Sequence, residues 1–238
     1  MSDQDNKTPC VYLVRHAWIL QIGETEWAKC GRYTGSTDIE LTQAGAAQVS
    51  STAMSLVGVG KLIEPSRLVH ILVSPRKRAR TTLELLLPHL SEKKVNVTED
   101  IAEWDYGDYE GLKAGEIRDL RKGRGLDMDK KWNIWRDGCE GGESMQQVTL
   151  RLDRLISEIR EIQRPYINGE QPADVLIVAH GLILRCFVKR WLNMSLDFNL
   201  QMMFAPGAIA SLSYKNNDIN EPAFHLGMAL PYTTEGGL

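Results

Sequence analysis

Val175-Leu176-Ile177-Val178-Ala179-His180-Gly181 is an uninterrupted apolar run that ends in a histidine. A second run, Val11-Tyr12-Leu13-Val14, closes the same way, in Arg15-His16. Apolar runs of this length read as strands covered on both faces, the pattern of a parallel sheet held between helices. In open α/β sheets, ligands collect just beyond the carboxyl ends of the strands. Two imidazoles and an arginine, far apart in sequence, are therefore expected to meet in one crevice.

The segments between these runs alternate helix and strand patterns. Thr42 is a cap for a helix over about Gln43 to Val57. Leu68 to Val73 reads as a third buried strand. Ser74-Pro75 follows it as an N-cap and first helical proline for a helix from Arg76 to about Leu87. Val95 to Val97 is a short strand, and a helix is expected around Glu116 to Lys122. Ser144 and Gln147 form a capping box for the longest helix. Its stripe of Met145, Val148, Leu152, Leu155, Ile156, Ile159 and Ile162 keeps helical spacing. A helix from Leu182 to about Leu192 follows the second histidine strand. Ala208 to Tyr214 and Ala223 to Leu226 make a closing hairpin. The expected class is α/β, a three-layer α/β/α sandwich around a mostly parallel sheet. One domain is expected over 1–238, with Met1 to Pro9 a flexible N-terminus.

The 238 residues suffice for one sizeable core. A net charge of −3 exerts no global pull toward nucleic acid or membrane, so local basic clusters need local reasons. No apolar run is long enough to span a bilayer, and the polar N-terminus lacks a secretory h-region. Cys10, Cys30, Cys139 and Cys186 show no CxxC spacing and read as reduced thiols of a cytoplasmic protein. No His/Asp/Cys ligand cluster and no G-x-G-x-x-G turn is present, so neither metal nor cofactor is expected.

The chemistry follows from residue types. Arg76, Lys77, Arg78 and Arg80 crowd the start of a helix, where the dipole disfavours cations, an arrangement that suits an anion site. Phosphoryl transfer asks mainly for positioning and charge stabilisation. Arg15 and Arg78 are expected to fork onto phosphate oxygens as a lysine could not. His16 is the candidate nucleophile and His180 a donor to a phosphate oxygen. Glu103, flanked by Trp104 and Tyr106, is the candidate acid for the leaving alkoxide.

Taken together, Val14-Arg15-His16, Ser74-Pro75-Arg76-Lys77-Arg78-Ala79-Arg80-Thr81, Glu103 with Gly107 and Glu110-Gly111, and Ala179-His180-Gly181 resemble the histidine phosphatase, or phosphoglycerate-mutase-like, superfamily. The resemblance implies His16 as a phosphohistidine nucleophile, Arg15, Arg78 and His180 as a phosphate pocket, and Glu103 as proton donor. Gly31 to Asp38, Glu103 to Gly111, Trp132 to Glu140 and Asn220 to Ala223 are most similar to the fungal sedoheptulose-1,7-bisphosphatases. That similarity implies substrate contacts from Thr34, Gly35, Tyr106, Gly181 and Arg185, a small sugar-phosphate substrate and a place in the pentose phosphate route. Trp132 and Trp135 read equally well as loop packing. Arg118, Arg121, Lys130 and Arg136 are candidates for a second phosphate or for an exposed charged helix. A homo-oligomer stays open.

The resemblance breaks at one place. Family members run Arg-His-Gly-Glu/Gln-Thr-Glu-Trp without interruption, whereas Ala17 to Ile22 separates His16 from Gly23-Glu24-Thr25-Glu26-Trp27. The pocket residues lie before this insert or far from it, so they are expected to converge regardless. Displaced backbone donors of that loop would cost ~10²–10³ in rate each. Rival readings are a phosphoglycerate mutase, a fructose-bisphosphatase-type enzyme, and a phosphatase-like binding protein disabled by the insert.

Overall fold

The computed structural model describes residues 8–17, 31–90 and 94–227. Cys30, most of the 17–22 insert and the N-terminal stretch 1–7 lie outside the described residues. Six strands form one sheet: β1 (Val11–Arg15), β2 (Leu68–Val73), β3 (Val95–Val97), β4 (Asp174–Ala179), β5 (Ile209–Tyr214) and β6 (Pro222–Phe224). Their order is β3-β2-β4-β1-β5-β6. The first four run parallel, whereas β5 and β6 are antiparallel and close the edge as a hairpin.

The helices are α1 (Gln43–Leu56), α2 (Lys77–Leu86), α3 (Ala114–Gly123), α4 (Ile134–Asp137), α5 (Met145–Gln163) and α6 (Gly181–Trp191). Successive residues of a strand point to opposite faces, and the core divides accordingly. Val11, Leu13, Val175 and Ile177 pack with Val148, Leu152, Leu155 and Ile159 of α5 and Ile183 and Phe187 of α6. Tyr12, Val14, Leu176 and Val178 pack on the other face with Val49 of α1 and Ala79, Leu83 and Leu86 of α2. The result is a three-layer α/β/α arrangement, as expected from the apolar runs.

Local signals were mostly sound. Thr42 caps α1 by accepting from the Gly45 N–H at 2.8 Å, and Ser144 with Gln147 forms the capping box of α5. Two details differ. Ile162 is only half-buried, and Gln163 is the buried residue at that end of α5. Ser74 does not cap α2: the helix starts at Lys77 with Arg76 in the cap position. The Ser74 hydroxyl is drawn away by a stronger partner described below. Instead, Asp38 accepts from the Lys77 N–H at 2.6 Å, placing a carboxylate at the positive end of the helix.

Registry fixes the site. Arg15 of β1 lies opposite Ala179 of β4, and Val73 of β2 lies opposite Val178. Three neighbouring parallel strands thus end level, and the next residues on each are His16, His180 and Ser74. The His16 N–H donates to the Ala179 carbonyl at 3.0 Å and the Ser74 N–H to the Val178 carbonyl at 3.1 Å.

Candidate active site

His16 and His180 meet edge to face, with ring centroids 5.1 Å apart. Both are buried. The His16 Nδ1 lies 2.7 Å from the Ala17 carbonyl. A carbonyl only accepts, so Nδ1 carries the proton and the lone pair sits on Nε2. Burial, reinforced by the charges of Arg78 and Arg15, pushes this imidazole down to about 3. It is neutral at physiological pH, and its in-plane Nε2 lone pair has no partner among the described residues.

His180 is assigned by the same logic. Arg78 Nε–H donates to its Nδ1 at 3.1 Å, so the ring proton is on Nε2 and donates to the Ser74 Oγ at 2.6 Å. Burial and then the Arg78 charge hold His180 well below the usual histidine range. Arg78 is only 1% exposed. Its remaining nitrogens reach the carbonyls of Thr37 at 2.8 Å, Gly35 at 3.0 Å and Thr34 at 3.3 Å.

Glu110 holds that 34–37 loop from the other side. Its carboxylate accepts from the Gly35 N–H at 2.9 and 3.0 Å, the Thr37 N–H at 3.0 Å and the Thr37 hydroxyl at 2.6 Å. Gly35 is required where it stands, because a Cβ would lie 2.4 Å from the Trp104 carbonyl and 3.0 Å from the Tyr106 ring. Tyr106 is itself buried, packed edge-on against Tyr33.

The N-terminus of α6 gathers the other two groups. Glu103 accepts from the N–H of Ile183 at 2.8 Å, of Leu182 at 3.1 Å and of Trp104 at 3.0 Å. Burial raises its carboxyl above the ordinary glutamate value against the opposing pull of these three N–H groups. The Arg15 guanidinium packs against Gly181, where a Cβ would stand 2.8 Å from Cζ. Arg15 donates to the Phe204 carbonyl, while the Nε of Arg15 and that of Arg185 are buried without a partner among the described residues. Burial and the neighbouring Arg185 charge depress the Arg15 pKa, as expected for two guanidinium groups facing one space. Among the described residues, Arg15, Arg78 and Arg185 form no ion pair with a carboxylate. Guanidinium groups gathered in one place without a carboxylate ion pair make a site for an external anion.

The histidine phosphatase superfamily (branch 1) model matches residues 11–223. The chain belongs to that superfamily. It is a phosphatase, a hydrolase by class. Sedoheptulose 1,7-bisphosphatase of Saccharomyces cerevisiae is 36% identical over 256 aligned positions, covering 92% of each chain. An acid phosphatase of Mycobacterium tuberculosis is 35% identical over 178 positions, 75% of this chain and 76% of its own. The solved structure of an open-reading-frame product from Mycobacterium tuberculosis superposes with a TM-score of 0.70 at 28% identity, covering 92% of this chain and 96% of that one.

Against this histidine phosphatase framework, several residues sit differently from the sequence expectation. Of the four cations at the start of α2, only Arg78 turns inward. Arg76 lies 3.7 Å from Glu99, Lys77 lies 3.8 Å from Glu40, and Arg80 is exposed. The cluster is one buried arginine beside a half-buried Arg76 and two exposed cations, Lys77 and Arg80. Arg78 is also no open fork, since backbone carbonyls and His180 take its nitrogens. His180 likewise has both ring nitrogens engaged. Thr34 and Gly35 meet Arg78 through their carbonyls.

Trp132 and Trp135 are packing. Trp132 donates to the Gly138 carbonyl at 2.8 Å and lies against Tyr33 and Tyr109, while Trp135 lies against Trp104. Arg121 is tied to Asp127 and Tyr109, and Arg136 to Asp137. Arg118 instead lines a cavity of about 450 Å³ with Lys122, Lys131, Asp119 and Asp127. Lys130 is exposed.

The site roles of two residues leave no signal in the sequence. Ser74 reads as a cap, although it ends a strand beside two strands that end in histidine. Glu110 shows nothing in the sequence of its hold on the 34–37 loop. No helix among the described residues is long and apolar enough to cross a membrane.

Proposed function

We propose that the protein removes phosphate from a small sugar phosphate through a phosphohistidine on His16, with the 1-phosphate of sedoheptulose 1,7-bisphosphate as its main target. The carrying observation is the His16 tautomer. A neutral imidazole, its Nδ1 proton held by Ala17 and its Nε2 without a partner among the described residues, lies within the fields of Arg78 and Arg15. The substrate assignment rests on the likeness to the yeast bisphosphatase across most of both chains.

In the first step the Nε2 lone pair of His16 attacks phosphorus as the bond to the sugar oxygen breaks. Glu103 gives its proton to that oxygen. Arg15 and Arg185 stabilise the phosphoryl charge, while Arg78 and His180 hold the pocket and exchange a contact for phosphate oxygen on binding. The imidazolium formed keeps its Nδ1–H on the Ala17 carbonyl. In the second step the Glu103 carboxylate takes a proton from water, water oxygen bonds to phosphorus, and the N–P bond breaks. Phosphate leaves and His16 recovers its lone pair. Thr34, Gly35, Tyr106 and Gly181 shape the sugar side, and action in the cytoplasm on pentose phosphate intermediates fits this substrate.

The test is incubation with sedoheptulose 1,7-bisphosphate and rapid quench. An acid-labile, base-stable phosphoprotein is expected, with inorganic phosphate release, and His16→Ala abolishes both. A 2,3-bisphosphoglycerate-dependent phosphoglycerate mutase of Bradyrhizobium diazoefficiens is 28% identical over 91% of this chain. Interconversion of phosphoglycerates without phosphate release would therefore replace the phosphatase assignment with a mutase. No adduct and no phosphate across a broad substrate panel would leave only a binding protein.

A further inference from the structure

The segment carrying Glu103 is gripped from behind by a half-buried ion pair that the catalytic steps do not use. Arg151, on α5, is 8% exposed. Its Nε and Nη2 fork onto Glu143 at 2.7 and 2.8 Å. Its Nη1 reaches past this pair to the carbonyls of Asp100 at 2.9 Å and Ala102 at 3.0 Å. Glu143 returns to the same segment. Its Oε2 accepts from the Asp105 N–H at 2.9 Å, its backbone N–H donates to the Asp105 carbonyl at 2.9 Å, and its carbonyl accepts from the Trp104 indole at 2.9 Å.

The backbone is therefore clamped at residues 102 and 105, and the Trp104 indole is tied to the same support, with Glu103 between the two grips. Its carboxylate is fixed from the front by the first N–H groups of α6. A buried ion pair is weak evidence for stability, since well-packed apolar residues often do as well. What an arginine fork offers instead is directional hold on several acceptors at once. We propose that Arg151 and Glu143 are positioning residues that hold Glu103 at the distance and in the protonation state needed to serve the leaving oxygen. This rests on the proton-donor reading of Glu103.

The leaving group supplies the test. A sugar alkoxide needs a proton as it departs, whereas p-nitrophenolate leaves as a stable anion. Both are compared by kcat/KM, which reports the steps up to phosphohistidine formation, on the fastest sugar phosphate and on p-nitrophenyl phosphate. Glu103→Gln is expected to lose ~10²–10⁴-fold on the sugar phosphate and within about threefold on p-nitrophenyl phosphate. Glu143→Gln and Arg151→Lys are expected to lose about tenfold on the sugar phosphate and little on the other. Their basic pH limb is expected at lower pH, because a loosened segment admits water to the Glu103 carboxyl.

Equal losses on both substrates in Glu143→Gln and Arg151→Lys would mean a merely structural pair, and no loss would mean no role at all. Either result overturns the inference while leaving the Glu103 reading intact. If Glu103→Gln itself fails to discriminate, the proton-donor reading falls and this inference with it.

Discussion

Gly181→Ala separates the stability of the fold from the geometry of the pocket. Gly181 opens α6, and its φ is not among the positive ones, so an alanine backbone is unstrained there. By helix propensity alone the change is neutral or stabilising by up to ~1 kcal/mol. The added methyl, however, would stand 2.8 Å from Arg15 Cζ, 2.9 Å from Nε and 3.1 Å from Nη2. Ordinary contact between such atoms is ~3.5–4 Å, so the guanidinium must retreat by about 1 Å. It is tethered on its far side to the Phe204 carbonyl, so the retreat also disturbs that bond. Misplacing a phosphate-binding group by ~1 Å costs about 10²-fold. Thermal melting and phosphate release measured on the same preparation are expected to show an unchanged or higher Tm with kcat/KM down about a hundredfold. Wild-type kcat/KM would refute the placement of Arg15 against the phosphate. A collapse of Tm would show that the methyl strikes the core instead.

Ser74→Ala strands the buried His180 Nε2–H without an acceptor, and the urea midpoint is expected to report a loss of ~1–3 kcal/mol alongside reduced activity. An unchanged midpoint would contradict the tautomer assigned here. Gly35→Ala places a methyl 2.4 Å from the Trp104 carbonyl, so the 34–37 loop must shift off Arg78. Loss of most activity with ~1–3 kcal/mol of stability is expected in melting and turnover assays, and a fully active variant would refute the close packing. Acid sensitivity has a definite sign. Between about 3 and the ordinary histidine pKa, the unfolded chain takes a proton at His16 that the folded chain refuses, so stability falls as pH falls. From pH 6.5 to 4.5 that is ~2 kcal/mol for His16 alone. Denaturation at both pH values, wild type against His16→Gln, isolates it from Glu103, whose raised pKa acts in the opposite direction. Parallel acid losses in the two proteins would mean that His16 titrates normally.

The parallel strands were legible because their signal is local: a strand buried on both faces has to be apolar over most of its length, and β1, β2 and β4 are, save for Arg15, His70 and Asp174. The convergence of His16 and His180 was legible because ligands gather at the carboxyl ends of parallel strands, and that of Arg78 because it stands in the first turn of the helix that follows β2. What could not be read was how each polar group spends its hydrogen bonds. Ser74 has the sequence signature of a cap, yet a buried imidazole N–H needs an acceptor more urgently than an exposed helix end needs a cap. The basic run at α2 looked uniform in sequence, but helical rotation buries one position of that turn and leaves its neighbours in solvent. Glu110 and Arg151 act on backbone atoms of other segments, and main-chain partners leave no trace in side-chain patterns. The 17–22 insert begins at Ala17, whose carbonyl sets the His16 tautomer, so the departure from the family pattern starts one residue after the nucleophile.

The level ending of β1 and β4 has a consequence for synthesis. β1 leaves the ribosome long before both of its sheet neighbours, β4 and β5. A nascent or truncated chain stopping before Asp174 therefore carries β1 with two unsatisfied edges and no second imidazole. Such a fragment is inert toward phosphate esters and prone to stick to other chains. Turnover in a translation reaction thus becomes a clock for completion of the polypeptide.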